Sequence, residues 1–326
     1  MPENSRLTIA IVLISYNQQD YIIEALDGIR SQTREPDEVV IADDGSTDNT
    51  QKIIREYVKT HNLVSKWLLL LSPTNRGINE NLQNAIEQTT SEIIIGMAGD
   101  DVSLENRCIV TEKLFLECQG ALLISTSGFI IDNTGALKGE VNYNDTIVNN
   151  VYSVIKRGYV AISPIGHAAR RELYYKYGRL PLNLPNEDDQ ISFRGIISGG
   201  IKTSSIKTFK YRVHASSASS WLRANKGDEK FFERFRQDLK VREMHMHQWK
   251  NCLHLSKSEG RELFSKLLDR KIEYYKELGA ALESTILNRL FFLNMYKDII
   301  SKRDFVLIVF GRSGFHLLNT LRSMFK

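Results

Sequence analysis

A continuous run rich in β-branched residues at 7–14, Leu-Thr-Ile-Ala-Ile-Val-Leu-Ile, constrains the fold more than any other segment. A strand apolar on both faces must be covered on both, as a central strand of a parallel sheet is. The run stops at Ser15-Tyr16-Asn17. Two later strands stop in the same way. Residues 38–42 end at Asp43-Asp44-Gly45-Ser46-Thr47-Asp48, and residues 92–97 lead into Ala98-Gly99-Asp100-Asp101. Between them, residues 20–30, 49–59 and 81–88 have helical character, and residues 67–71 read as a further short strand before a turn at 73–77. Strands alternating with helices predict an α/β fold with a mostly parallel sheet and right-handed crossovers. In such sheets ligands bind beyond the carboxyl ends of the strands, and all three polar clusters fall there.

Taken singly, each cluster has a bland reading. Asp100-Asp101 fits a hard divalent cation, but also a helix N-cap. Asp43-Asp44-Gly45-Ser46 fits a turn with a cap. Three such strand ends converging on one edge favour a binding site. A dinucleotide site is excluded, because Ser15 to Asp20 contains no glycine-rich turn, and no phosphate-binding loop with a following lysine is present. The same segment lacks the basic, glycine-rich loop that a nucleotidyltransferase would need.

Residues 111–180 predict mixed sheet: strands at 121–126 and 128–131, a hairpin turn at Asp132-Asn133-Thr134-Gly135, and a strand at 160–164. Glu187-Asp188-Asp189 then opens a helix that contains Arg194 and ends at Gly199-Gly200. Acids there complement the helix dipole, though three in succession exceed what capping needs. A last strand at 209–214 ends in His214. From residue 227 the pattern is helical, with Phe231, Phe235, Leu239 and Trp249 on one long stretch.

Charge is unevenly placed. The net +4 divides into 20 Lys/Arg against 13 Asp/Glu in residues 226–326, and 23 against 26 before them. This argues against a nucleic-acid binder and fits a basic appendage facing an anionic surface. Residues 304–326 mix apolar and basic side chains, as an interfacial membrane segment or a packed terminal helix would. Three scattered cysteines, a polar N-terminus and no run of membrane-spanning length predict a cytoplasmic protein, peripheral at most at the inner face of the cytoplasmic membrane.

These residues together resemble the inverting family 2 glycosyltransferases. The motifs are the first strand with Ser15-Tyr16-Asn17, then Asp43-Asp44-Gly45-Ser46-Thr47-Asp48, Asn75-Arg76-Gly77, Ala98-Gly99-Asp100-Asp101, Glu187-Asp188 with Arg194, and Tyr211-Arg212-Val213-His214. The resemblance implies the GT-A fold: a Rossmann-like, mostly parallel sheet, here with a helical C-terminal extension. It implies a nucleotide-sugar-binding half at residues 1–110, an acceptor-binding half at 111–225 and a basic helical region at 226–326. Ser15, Tyr16, Asp43, Asp44, Arg76 and Asp100 would hold the nucleotide-sugar. Asp100, Asp101 and His214 would hold Mn²⁺ or Mg²⁺, Asp188 would be the general base, and Glu187 and Arg194 would support donor or acceptor. Ala98 stands where the family's Asp-x-Asp-Asp has its first acid. Ser220-Trp221-Leu222-Arg223 is not the Gln-x-x-Arg-Trp of processive synthases, so single addition is expected. The expected donor is UDP-linked. The expected acceptor is a lipid-diphosphate-linked surface glycan, such as an O-antigen or capsule intermediate. A non-catalytic nucleotide-sugar-binding protein is the alternative.

Overall fold

A computed structural model describes residues 6–162, 164–182, 184, 187–214, 229–300 and 302–310. The chain divides into two compact units: residues 1–149 with 162–214, and residues 150–161 with 215–326.

The first unit is built on a ten-stranded sheet. Its parallel half is β1 (Ile9–Ser15), β2 (Glu38–Asp43), β3 (Trp67–Leu71) and β4 (Ile93–Ala98), in the order β3-β2-β1-β4. Helices α1 (Ile22–Arg30), α2 (Thr50–Thr60) and α3 (Ile78–Glu87) make the crossovers. Ile9, Ile11 and Leu13 of β1 are fully buried with Ile41, Ile93 and Ile95 of its neighbours. The register is what sets up the site: Ser15 lies opposite Asp43, and Ile14 opposite Ala98, so the three polar strand ends come level.

Beyond β4 the sheet becomes mixed. β9 (His167–Arg170) is antiparallel to both β4 and β6 (Leu123–Asp132). β10 (Ile201–Val213) runs parallel to β6 and carries the short antiparallel β5 (Val102–Ser103) and β8 (Thr146–Val148). β7 (Leu137–Val141) forms the expected hairpin with β6. The two strands expected at 121–126 and 128–131 are one. Ser125, Thr126 and Ser127 do not interrupt it, because Thr126 pairs its hydroxyl with Thr208 and Ser127 donates to the Ser204 carbonyl. Of the strand expected at 160–164, the described residues 160–162 are not a strand, and a 3₁₀ turn at Pro164–Gly166 precedes β9 instead. Helix α4 (Arg107–Glu117) escaped the reading of hydrophobic periodicity, since its buried face includes Arg107 and Thr111. Short α6 (Glu172–Tyr175) precedes α7 (Glu187–Ile197), which bears the acidic trio.

The second unit is helical: α5 (Val151–Arg157), α8 (Glu229–Leu255), α9 (Arg261–Glu283), α10 (Ile286–Met295) and α11 (Lys302–Phe310). Trp249, Leu268, Tyr274 and Leu278 form its interior. No helix among the described residues is long and apolar enough to cross a membrane. The Ser220 segment and the tail beyond residue 310 lie outside the described residues, as does the side chain of Phe231.

Candidate active site

The end of β1 is tied to the end of β2. Ser15 Oγ donates to Asp43 Oδ2 at 2.8 Å, and Asp43 also accepts from the Ser46 amide (2.9 Å), the Ser46 hydroxyl and Gln51 Nε2 (2.7 Å). Both Asp43 oxygens are therefore committed to shaping the loop, and the residue is fully buried. Asp44 does the same for the next loop. Its two oxygens accept from the Arg76 and Gly77 amides at 2.8 and 2.9 Å, while the Arg76 side chain is left half exposed. Gly45 adopts φ +72° where a Cβ would lie 2.4 Å from the Thr74 carbonyl carbon. A cavity of about 300 Å³, lined by Asp44, Ser72, Pro73, Arg76 and Asn81, opens beside this loop. Tyr16, 44% exposed, stands at the end of β1.

The two acids after β4 part company. Asp100 Oδ2 lies 2.9 Å from His214 Nε2, bringing together residues 114 positions apart. The His214 ring packs on Tyr21 at 4.8 Å between centroids. Asp101 turns inward, 2% exposed, and accepts the Arg212 amide at 2.9 Å. Burial, then the neighbouring Asp100 charge, pushes the Asp101 carboxyl well above the usual carboxylate range. Among the residues expected to hold metal, Asp100 and His214 thus face each other, while Asp101 fixes the backbone that carries His214. A carboxylate oxygen beside an imidazole nitrogen suits Mn²⁺ better than Mg²⁺, which prefers oxygen donors, provided other oxygens complete the shell. No group of three or more His, Cys, Asp or Glu side chains is placed to hold an ion by itself among the described residues.

Arg212 is the residue that sequence reasoning quoted without a role. Its guanidinium is 1% exposed. It donates to the Asp100 carbonyl (2.9 Å), the Asp132 carbonyl (3.1 Å) and Glu24 Oε2 (2.8 Å), and lies over the Tyr21 ring at 4.9 Å. One buried cation therefore locks β10, the β4 loop, the β6 end and α1 in place.

At the head of α7, Glu187 and Asp188 are half-buried. Burial, then the Asp188 charge, pushes the Glu187 carboxyl up to about 8. Burial raises the Asp188 carboxyl too, against the Asp189 amide that donates to it at 2.8 Å. Arg194, one helical stretch later, is 2% exposed and points its guanidinium at the carbonyls of Leu173, Tyr174, Tyr177 and Arg179. It holds the segment before α7 rather than presenting a charge to a ligand. A larger cavity of about 610 Å³ lies along α1 and residues 102–106, lined by Glu24, Asp27, Arg30 and Lys210, and contains none of the expected site residues.

Comparison with known proteins follows this geometry. Residues 10–117 match the family described as glycosyl transferase family 2. An uncharacterized protein of Mycobacterium bovis is 43% identical over 93 residues, covering 28% of this chain and 26% of the relative; the match thus spans about a quarter of that relative's length. A UDP-Glc:alpha-D-GlcNAc-diphosphoundecaprenol beta-1,3-glucosyltransferase of Escherichia coli is 25% identical over 223 residues, covering 65% of this chain and 80% of that protein. In fold, the chain is similar to S. aureus TarS residues 1–349 in complex with UDP-GlcNAc, with a TM-score of 0.60 at 17% identity over 93% of this chain and 82% of the other.

Proposed function

We propose that this chain, whose residues 10–117 are a glycosyl transferase family 2 domain, moves one sugar from a UDP-linked donor to a hydroxyl of a lipid-diphosphate-linked surface-glycan intermediate, with inversion. The observation that carries the reading is the Asp100–His214 contact at the ends of β4 and β10, beside the loop that Asp44 holds. The Escherichia coli relative supports the donor and acceptor classes by its name.

In this reading the cavity beside Asp44 and Arg76 receives part of the nucleotide, and Ser15, Tyr16 and Asp43 act from the ends of β1 and β2. Asp100 and His214 would hold Mn²⁺ or Mg²⁺. The ion would supply Lewis-acid stabilisation of the charge that gathers on the leaving nucleoside diphosphate. Asp188 takes the proton from the attacking acceptor hydroxyl. Its raised carboxyl is a stronger base than an ordinary surface aspartate, and a base acts best when its pKa approaches the working pH. Burial sustains that shift, and Arg194 holds the carbonyls of the segment before α7. Attack opposite the leaving group converts an α-linked donor into a β-linked product.

Ala98 motivates a second reading, a nucleotide-sugar-binding protein without turnover. A panel of UDP-, GDP- and dTDP-sugars with Mn²⁺, lipid-diphosphate-linked acceptors and detection of nucleoside diphosphate separates the two. Acceptor-dependent release supports transfer, and binding by calorimetry with no release on any acceptor supports the second reading.

A further inference from the structure

Tyr21 stands at the start of α1, a position that favours Ser, Thr, Asp or Asn because their side chains cap the free amides of the first turn. A tyrosine ring does no such work, and Tyr21 makes no side-chain cap hydrogen bond. Its half-buried ring is turned to the end of β10 instead. The Arg212 guanidinium lies over it at 4.9 Å, and the His214 imidazole packs on it at 4.8 Å, tilted by 41°. Arg212 and His214 are two positions apart, the spacing that puts strand side chains on one face, and one ring underlies both. Glu24, three residues after Tyr21 and on the same side of α1, takes the same guanidinium at 2.8 Å.

His214 has little else in the sheet to orient it. It lies one residue beyond Val213, the last paired position of β10, which is matched to Asp132 of β6. Two side-chain torsions must be fixed before its Nε2 faces Asp100 Oδ2 at 2.9 Å. A ring packed against the imidazole restricts both. The contact is made by the flat ring of Tyr21 and not by its hydroxyl. We propose that Tyr21 is a positioning residue for sugar transfer: it holds the His214 imidazole towards Asp100, and so sets how well that pair takes a divalent cation. The inference rests on the reading of Asp100 and His214 as the groups that would hold the ion. Contacts that orient a metal-binding imidazole matter about tenfold to a hundredfold to affinity when they are lost.

The test is calorimetry of UDP binding to the full chain, with and without Mn²⁺. Wild type is expected to bind UDP more tightly with Mn²⁺. Tyr21→Leu, which fills the space without a flat ring, is expected to lose about tenfold of that gain while its Mn²⁺-free affinity and its circular dichroism stay unchanged. Tyr21→Met takes its place if Tyr21→Leu does not fold. Tyr21→Phe keeps the ring and is expected to retain the gain. Combined with His214→Ala, Tyr21→Leu is expected to remove nothing beyond what His214→Ala removes alone, because it acts through that imidazole. A gain undiminished in Tyr21→Leu overturns the inference, as does a Tyr21→Phe loss equal to that of Tyr21→Leu. Additive losses in the double variant also overturn it, by showing that Tyr21 acts apart from His214. These three outcomes leave the metal assignment standing. Wild type that binds UDP equally with and without Mn²⁺ overturns the inference and the metal assignment together.

Discussion

The His214 imidazole and the Asp100 carboxylate, 114 residues apart, meet at 2.9 Å where β10 ends beside the loop after β4. In the proposed function this nitrogen and the Asp100 carboxylate would be among the groups that hold the metal ion. Replacing His214 with Ala is expected to weaken Mn²⁺-dependent nucleotide binding by roughly tenfold to a hundredfold, the range seen when a metal site loses a supporting group. Calorimetry of UDP binding at varied Mn²⁺ checks this. Chelation by EDTA should abolish the difference between the variant and wild type.

Arg212 should matter more than its ion pair. Glu24 is 56% exposed, so Glu24→Gln is expected to cost under about 1 kcal/mol. Arg212→Lys keeps the charge but loses the forked donors that reach the Asp100 and Asp132 carbonyls, and is expected to cost about 2–3 kcal/mol. Urea denaturation of both variants compares the two costs directly.

At Gly45 a side chain has no room. The backbone at φ +72° is strained for any L-residue, and the Cβ would meet the Thr74 backbone rather than a movable side chain. Gly45→Ala is expected to cost about 1–3 kcal/mol and to displace the Asn75-Arg76-Gly77 loop from Asp44. Thermal melts report the first effect, and a raised KM for donor reports the second.

The acids of α7 predict a pH signature. The folded Glu187 carboxyl sits near 8 against an ordinary 4.5, so the folded state holds a proton that the unfolded chain releases earlier. The resulting contribution is fully present below pH 4.5 and is lost as pH rises towards 8. Glu187→Gln cannot ionise, so its stability should fall less than that of wild type over this window. Chemical denaturation at several pH values across it checks the sign.

How much of this was legible in sequence depended on burial type. The strands β1, β2 and β4 are buried on both faces by apolar side chains and announce themselves, as do the polar residues at their ends. β9 did not, because His167-Ala168-Ala169-Arg170 has neither alternation nor β-branching, and its place is set by β4 and β6 on either side. Helix α4 hid for a related reason: fully buried Arg107 reaches the Gly96 and Ile165 carbonyls, so a charged residue occupies a core position. The acidic motifs were visible as candidates, but not the division of labour within each pair. Asp43 and Asp44 spend their oxygens on backbone and side-chain donors, and Asp101 on the Arg212 amide. Ser46 is a local partner of Asp43, but Ser15 lies 28 positions from Asp43, the Arg76 amide 32 from Asp44 and Arg212 111 from Asp101, and these leave no local spacing to read.

The most direct test of the central claim is acceptor-dependent nucleoside diphosphate release by wild type and by Asp188→Asn, each saturated with Mn²⁺ and donor. The account predicts a loss of about 10²–10⁴-fold in kcat with donor affinity preserved, because Asp188 acts on the acceptor's proton and not on the nucleotide. An Asp188→Asn enzyme that turns over at the wild-type rate would contradict it.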